Sequence, residues 1–184
     1  MTVFVIVGMP ASGKNIAREY AGKHGIPYFA TGDVVRNELK KQGVEPNAAN
    51  TAAISTRLRG DDGMGVTRIA LTAALMSSGS IVFMEGMRSW PEIELIREQT
   101  ACVVVAFVAP RELRKERIAS RGRSDDSPST FHERDEREIA YGAATPIALA
   151  DAYILNTAAM NDAADSLDRI VKHYLPRGAK QDIV

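Results

Sequence analysis

Residues 8–14 read Gly-Met-Pro-Ala-Ser-Gly-Lys and directly follow the apolar run 2–7. Two glycines and a lysine at this spacing, between a strand and a helix, are typical of a loop that binds phosphate groups. The glycines let successive backbone N–H groups point into one concavity, and the lysine and the following helix N-terminus add positive charge. The pattern predicts a nucleoside triphosphate site, with an ordinary Gly-containing turn as the alternative. Its residues are Gly8, Met9, Pro10, Ala11, Ser12, Gly13 and Lys14.

The residue after the lysine departs from the usual pattern. That position commonly carries a Ser or Thr whose hydroxyl holds Mg²⁺, and here it is Asn15, followed by Ile16. We extend the predicted ATP-binding segment to both residues and take the Asn15 side chain as a candidate Mg²⁺ ligand. ATP and Mg²⁺ are therefore the predicted cofactors.

Composition narrows the class of protein. The 184 residues contain 23 Lys plus Arg and 23 Asp plus Glu, so no bulk positive charge favours nucleic acid, which is not expected as a partner. No apolar run approaches the roughly 18 residues of a membrane span, and the first run is a strand rather than a signal peptide. A single cysteine fits a reducing compartment. We expect a cytoplasmic protein without membrane partners; the oligomeric state is not predicted.

Short β-favouring runs alternate with helical patterns along the chain. Strands are predicted at 2–7, 27–30, 81–85, 102–108 and 152–155. Helices are predicted at 14–24, from Asp33 onwards, and at 47–59, 66–77, 91–98, 111–121, 129–141 and 160–175, with Gly60, Gly63 and Gly65 separating the two Ala-rich ones. The alternation predicts one α/β domain over 1–184, with a five-stranded parallel sheet covered by helices on both faces. Ligands bind such sheets at the carboxyl ends of the strands.

Polar and charged residues follow the second and third predicted strands. Thr31 and Asp33 come after the second strand, and Arg36 lies one turn further on. Glu85 ends the third strand, where a carboxylate can orient Mg²⁺ or its waters, and Arg88 is placed to project over the same cleft. A helix cap with a solvated arginine would also explain the first group, and a surface turn with an ion pair the second.

A basic segment follows the fourth predicted strand. Arg117 and Arg121 lie one turn apart on one helix face, and Arg123 and Arg134 flank an acidic loop. Phosphoryl transfer depends mainly on positive charge around the transferred group. We predict that Arg117 and Arg121 bind ATP and that Arg121, Arg123 and Arg134 are catalytic, on a short lid over about residues 117–137. The interleaved acidic residues indicate that other basic residues here form solvated ion pairs.

Together these motifs resemble the adenylate kinase family and its nucleoside monophosphate kinase relatives. Residues 8–14 are similar to that family's phosphate loop, in which Gly commonly follows the lysine and Mg²⁺ is held mainly by phosphates and water. Residues 31–36 resemble the motif that contacts the acceptor nucleotide. Residues 85–88 are similar to its Asp-Gly-Phe-Pro-Arg motif, with Glu for Asp and one residue fewer. Residues 117–121, and 123 with 134, resemble the entry and exit of the lid.

The resemblance implies a three-layer P-loop NTPase fold of the nucleotide kinase type, with acceptor-binding helices over about residues 33–78. Long-form adenylate kinases carry a folded lid insertion, whereas here only Gly122 separates Arg121 from Arg123. The runs 85–89, 121–126, 134–138 and 150–156 are more closely similar to an archaeal family of adenylate-kinase-related ATP-binding proteins, which implies no particular substrate. The end of the sheet is also similar to dephospho-CoA kinases.

The prediction is therefore an ATP-dependent nucleotide kinase with a nucleotide acceptor as its partner. The predicted catalytic residues are Lys14, Arg88, Arg121, Arg123 and Arg134. The predicted acceptor site comprises Thr31, Asp33, Arg36 and Arg88, and the predicted Mg²⁺ site comprises Glu85 and Asn15. Two alternatives stay open. One is phosphorylation of a hydroxyl, as in dephospho-CoA, with Asp33 as the base. The other is a regulatory protein that hydrolyses ATP slowly or not at all.

Overall fold

A computed structural model describes residues 1–121, 128–157 and 160–175 of the chain. Five strands form one sheet: β1 (Thr2–Val7), β2 (Tyr28–Ala30), β3 (Ile81–Glu85), β4 (Ala101–Val108) and β5 (Ala152–Leu155). All neighbouring strands are parallel, in the order β2-β3-β1-β4-β5. The predicted α/β fold with a five-stranded parallel sheet is confirmed.

The described helices cover both faces of this sheet. They are α1 (Asn15–Lys23), α2 (Thr31–Lys41), α3 (Ala48–Arg59), α4 (Gly65–Leu75), α5 (Trp90–Arg97), α6 (Arg111–Arg121), α7 (Pro128–Ala140), α8 (Ala144–Ala148) and α9 (Met160–Tyr174). Successive side chains of a strand point to opposite faces, so Phe4 and Ile6 pack with α1 and α9, whereas Val3 and Val5 pack with α4 and α5. These are the two outer layers of a three-layer domain.

The central strand β1 is buried along its whole length. It pairs with β3 through Ile6 and Glu85 and with β4 through Val7 and Ala106. Because β1 ends between its two neighbours, the loop that follows it emerges at the centre of the carboxyl edge. Glu85 ends the strand beside it.

Helices α2, α3 and α4 form a smaller apolar cluster of their own around Val35, Leu39, Ile54 and Val66. The predicted helix start at Asp33 is wrong by two residues, since α2 begins at Thr31 directly after β2. Gly65 does not separate α3 from α4 but begins α4. A Cβ there would lie 2.1 Å from the Leu58 carbonyl oxygen, so the glycine lets the two helices approach closely.

One short helix, α8, was not predicted from the sequence. It lies between α7 and β5 and contacts β4, and its five residues include the buried Pro146. Five residues are too few to show a helical period. No helix in the described ranges has the length and apolar character needed to cross a bilayer.

A buried ion pair joins α6 and α7. The Arg114 guanidinium donates to both carboxylate oxygens of Asp135, each at 2.7 Å, and the two residues are each 6% exposed. Arg114 also donates to the carbonyl oxygen of Pro10 at 3.1 Å and lies 5.3 Å from the centre of the Phe131 ring. The pair therefore fixes the α6–α7 hairpin to the loop after β1.

We expect Asp135→Ala to lower the free energy of unfolding by about 3–5 kcal/mol, because the Arg114 charge would stay buried without its partner. Urea unfolding followed by circular dichroism measures this. Glu112→Ala is the matched control on the same hairpin: Glu112 is 72% exposed in its side chain and only loosely paired with Arg111, so its loss should cost under about 1 kcal/mol. Similar costs for both variants would contradict the assigned role.

Candidate functional site

The loop over residues 8–14 adopts backbone angles that depend on its glycines. Gly8 has φ +149° and Gly13 has φ +104°, and Ala11 also has a positive φ of +59°. A Cβ at Gly8 would lie 2.5 Å from the Phe107 carbonyl oxygen and 2.5 Å from Ser12 Oγ. The loop thus passes close to β4, and α1 begins directly after Lys14.

The last strand of the sheet supports this loop. Asn156, which follows β5, is 4% exposed and donates from Nδ2 to the Ser12 carbonyl oxygen at 2.9 Å. A Cβ at Gly13 would lie 1.9 Å from that same Nδ2. Sequence reasoning missed this contact, although the expectation that functional residues follow each strand, applied to β5, would have pointed to Asn156.

Lys14 folds back over the loop. Its Nζ donates to the carbonyl oxygens of Gly8 at 2.6 Å and Met9 at 3.2 Å. Burial lowers the pKa of Lys14, and the negative charges of Glu85 and Glu138 partly oppose that shift. A buried ammonium group is poorly hydrated, so an anionic phosphate next to it would stabilise its charge strongly.

A cavity of about 300 Å³, which we call the loop cavity, opens beside this segment. Predicted ATP, metal and catalytic residues meet there, including Lys14, Asn15, Glu85, Arg117 and Arg134. Within the described part of the chain, positive groups and amides therefore surround a single carboxylate. This composition suits a phosphate-bearing ligand with an associated cation.

Glu85 is held by a partner that the sequence did not indicate. The Tyr28 hydroxyl donates to Glu85 Oε2 at 2.8 Å, and β2 and β3 place Ala30 opposite Glu85. Burial, followed by the Glu85 charge, raises the pKa of Tyr28, so the phenol stays a donor. Among the described residues no group of three or more His, Cys, Asp or Glu side chains could hold a metal. Glu85 and Asn15 both line the loop cavity, and carboxylate and amide oxygens are ligand types that Mg²⁺ accepts.

The predicted lid arginines have different outcomes. Arg117 donates to the Asn156 carbonyl oxygen at 2.9 Å and to the Ala11 carbonyl oxygen at 3.4 Å, so it lies against the loop. Arg134 lines the loop cavity from α7. Arg121 ends α6 but its side chain, like the whole of Arg123, lies outside the described residues, so those two predictions stay predictions.

A second cavity of about 250 Å³ lies between α2, α3 and the end of β3, and we call it the α2–α3 cavity. Thr31, Arg36 and Arg88 all line it, so three of the four predicted acceptor residues come together. Gly86 has φ +101°, and a Cβ there would lie 2.0 Å from Thr31 Oγ1. The glycine lets the loop after β3 pack directly on the start of α2.

Asp33, the fourth predicted acceptor residue, does not line the α2–α3 cavity. It forms ion pairs with Arg36 and, at 3.0 Å, with Arg18, and it lines a separate cavity of about 430 Å³ beside β2. Partial burial acts to raise the pKa of Asp33, but hydrogen bonds from Arg36 and Arg18 hold it below its ordinary value. The Asp33 carboxylate therefore orients the Arg36 side chain and does not itself line the α2–α3 cavity.

The Ile16 side chain is buried beneath the predicted ATP-binding segment. Its side chain is 7% exposed and belongs to the apolar cluster between α1 and the sheet. It does not line the loop cavity, so it packs the base of the phosphate loop and presents no side-chain group to a ligand there.

A central cavity of about 190 Å³ shares lining residues with both the loop cavity and the α2–α3 cavity. It shares Lys14, Glu85 and Arg134 with the loop cavity and Gly86 and Arg88 with the α2–α3 cavity. Glu138 of α7 also lines the central cavity, and its Oε2 forms an ion pair with Arg88 Nε at 3.1 Å. The three cavities thus form one row along the carboxyl edge of the sheet.

Comparison with known proteins agrees with this fold. Residues 7–132 match the protein family described as the AAA domain. A UPF0200 protein of Methanosarcina mazei is 35% identical over 180 residues, which cover 95% of this chain and 96% of that protein.

Solved structures with the same fold include TT1252 of Thermus thermophilus, with TM-score 0.66, 15% identity, and coverage of 95% of this chain and 98% of that one. A shikimate kinase of Bacteroides thetaiotaomicron has TM-score 0.60 and 13% identity, with coverage of 94% and 97%. At these identities the likeness concerns the fold alone.

We expect Gly13→Ala to weaken ATP binding by at least about tenfold, since the strained φ and the contact with Asn156 would displace the loop. Titration calorimetry with Mg·ATP measures the change. Gly22→Ala is the control: Gly22 lies in α1, a Cβ there meets nothing within 4 Å, and alanine should stabilise the helix by about 0.5–1 kcal/mol. Unchanged ATP affinity in Gly13→Ala would contradict the loop assignment.

Proposed function

This chain belongs to the UPF0200 family and contains an AAA domain, and we propose that it is an ATP-dependent phosphotransferase. The proposed reaction transfers the γ-phosphate of ATP to a nucleoside monophosphate or a related nucleotide. The P-loop kinase fold supports the donor half of this proposal, and the second cavity supports the acceptor half.

The observation that carries the proposal is the row of three cavities, in which neighbouring cavities share lining residues. A phosphate loop alone would suit hydrolysis of ATP. Here a second cavity with two of the predicted acceptor residues, Arg36 and Arg88, lies at the other end of the row. Two anionic substrates could approach each other across the central cavity, where Lys14 and Arg134 add positive charge.

On the donor side, the loop N–H groups and Lys14 bind the β- and γ-phosphates, and Arg117 lies where it can contact ATP beside the loop. Glu85 and Asn15 would hold Mg²⁺, which neutralises phosphate charge when bound. Arg134, with Arg121 and Arg123, would surround the transferred group. We propose residues 117–137 as the short lid.

On the acceptor side, Thr31, Arg36 and Arg88 bind the acceptor phosphate, and residues 33–78 form the acceptor-binding region. A phosphate oxygen is already a nucleophile at neutral pH and needs no general base. The two ion pairs of Asp33 support this phosphate acceptor over a hydroxyl acceptor, because a carboxylate engaged by Arg18 and Arg36 is a poor base.

A coupled assay with ATP and a panel of nucleoside monophosphates, together with dephospho-CoA, tests the proposal. We expect transfer to at least one monophosphate and a loss of about 10²–10³ in kcat for Lys14→Ala, since a positive charge at the transferred group is removed. Lys23→Ala, at the exposed end of the same helix, should keep wild-type rates. Tight ATP binding without transfer to any acceptor would overturn the proposal in favour of a regulatory nucleotide-binding protein.

Asp33→Asn distinguishes the two kinds of acceptor. With a phosphate acceptor we expect kcat to stay within about threefold of the wild type, while KM for the acceptor rises because Arg36 loses its partner. Loss of a general base would instead lower kcat by about 10²–10⁴. Steady-state kinetics with the best acceptor measures both constants, and a fall in kcat of that size would identify a hydroxyl acceptor.

A further inference from the structure

A third arginine lines the α2–α3 cavity. Arg59, the last residue of α3, is half-buried and lines the cavity with Arg36 and Arg88. Arg36 is paired with Asp33 and Arg88 with Glu138, whereas Arg59 has no carboxylate partner among the described residues.

In the described part of the chain, the carboxylate that lines this cavity, Glu92, forms no ion pair with Arg59. Glu92 accepts hydrogen bonds from the Thr67 hydroxyl and from the backbone N–H groups of Arg88 and Ser89, at 2.7 and 2.9 Å for the last two. Both of its oxygens are thus engaged in capping α5 and binding α4. Among the described residues Arg59 therefore forms no ion pair with a carboxylate, so its guanidinium N–H groups are available to an anionic ligand in the cavity.

One aromatic ring contacts two of these arginines. The centre of the Tyr141 ring lies 4.9 Å from Cζ of Arg59 and 5.2 Å from Cζ of Arg88. Both distances are within the range in which a guanidinium is attracted to the face of an aromatic ring. Gly142, with φ +95°, follows the tyrosine and lets this turn lie against the Arg88 and Ser89 backbone.

The ring is carried by the helix that also reaches the loop cavity. Tyr141 directly follows α7, and its N–H donates to the Arg137 carbonyl oxygen at 3.0 Å, which continues the helical turn. Arg134, Glu138 and Tyr141 are spaced i, i+4 and i+7 and so lie on one face. Arg134 lines the loop cavity and Glu138 pairs with Arg88. One helix face therefore spans both ends of the cavity row.

We propose that Arg59 is a further acceptor-binding residue and that Tyr141 is the positioning residue that holds Arg59 and Arg88 at the α2–α3 cavity. This inference rests on the proposed function, because the ligand of the cavity is taken to be the phosphate of the acceptor nucleotide. Because the Tyr141 ring contacts both guanidinium groups, a single anion can interact with the positive charges of Arg59 and Arg88 at once. The acceptor class is a phosphate monoester, whose oxygens can accept charge-assisted hydrogen bonds from the Arg59 guanidinium.

Equilibrium binding tests the inference without requiring turnover. Titration calorimetry with AMP, GMP, CMP and UMP, and separately with Mg·ATP, compares the wild type with four variants. Arg59→Gln removes the charge, and Arg57→Gln is its matched control. Arg57 lies on the same last turn of α3 but pairs with Glu38 outside the cavity, so both variants share any effect on the helix terminus. Tyr141→Leu removes the ring, and Tyr141→Phe keeps its face.

We expect Arg59→Gln and Tyr141→Leu to weaken the best monophosphate by about tenfold, with Mg·ATP affinity changed less than about twofold. Arg57→Gln and Tyr141→Phe should both stay within about twofold of the wild type. Thermal unfolding of each variant checks that the domain is intact. If Tyr141 has only a structural role, Tyr141→Leu should instead weaken the binding of both nucleotides or lower the melting temperature.

The outcomes separate this inference from the proposed function. Unchanged monophosphate affinity in Arg59→Gln and Tyr141→Leu overturns the inference, even where the wild type transfers phosphate. The expected losses support it, even where no transfer is observed and the proposed function fails. Absence of monophosphate binding by the wild type overturns the inference as well.

Discussion

The whole site depends on the complete burial of β1 at the centre of a parallel sheet. Paired strands on both sides and helical layers above and below enclose this strand, so packing fixes its position. The loop that follows it is therefore held at its origin by the strand and at its end by α1. Glu85 is positioned by the same register, one strand away. The geometry at the carboxyl edge is thus a consequence of how the core is packed.

Much of this could be predicted because the signals are local. An apolar run before two glycines and a lysine contains both the strand and the loop, and the rule that ligands lie after parallel strands located Thr31 and Glu85. Partners far apart in sequence gave no such signal. Tyr28 with Glu85, and Arg114 with Asp135, are joined only by the fold, and the charge-rich segment 111–138 does not show which arginine is buried. The surroundings of the Asp33 and Ile16 side chains were hidden for the same reason, since spacing does not reveal the direction of a side chain.

The cationic residues along the cavity row are mostly engaged within the protein. Lys14 is bound by loop carbonyl oxygens, Arg36 by Asp33 and Arg88 by Glu138. In the proposed reaction, substrate phosphates would therefore compete with these internal partners for the same N–H donors. Each such replacement removes water from the phosphate and breaks an internal ion pair, and it forms a new charge-assisted hydrogen bond. The net binding free energy per arginine is therefore modest. The same pairing explains how a site rich in arginine exists in a chain with no net charge.

The contact between Asn156 and the Ser12 carbonyl oxygen also bears on the order of events during synthesis. The two residues are 144 positions apart, so the phosphate loop leaves the ribosome long before the strand that braces it. Until β5 has emerged and joined β4, the N-terminal part of the chain holds the loop sequence without its support. During translation, the contact from Asn156 is therefore among the last supports that the loop of the proposed nucleotide site gains.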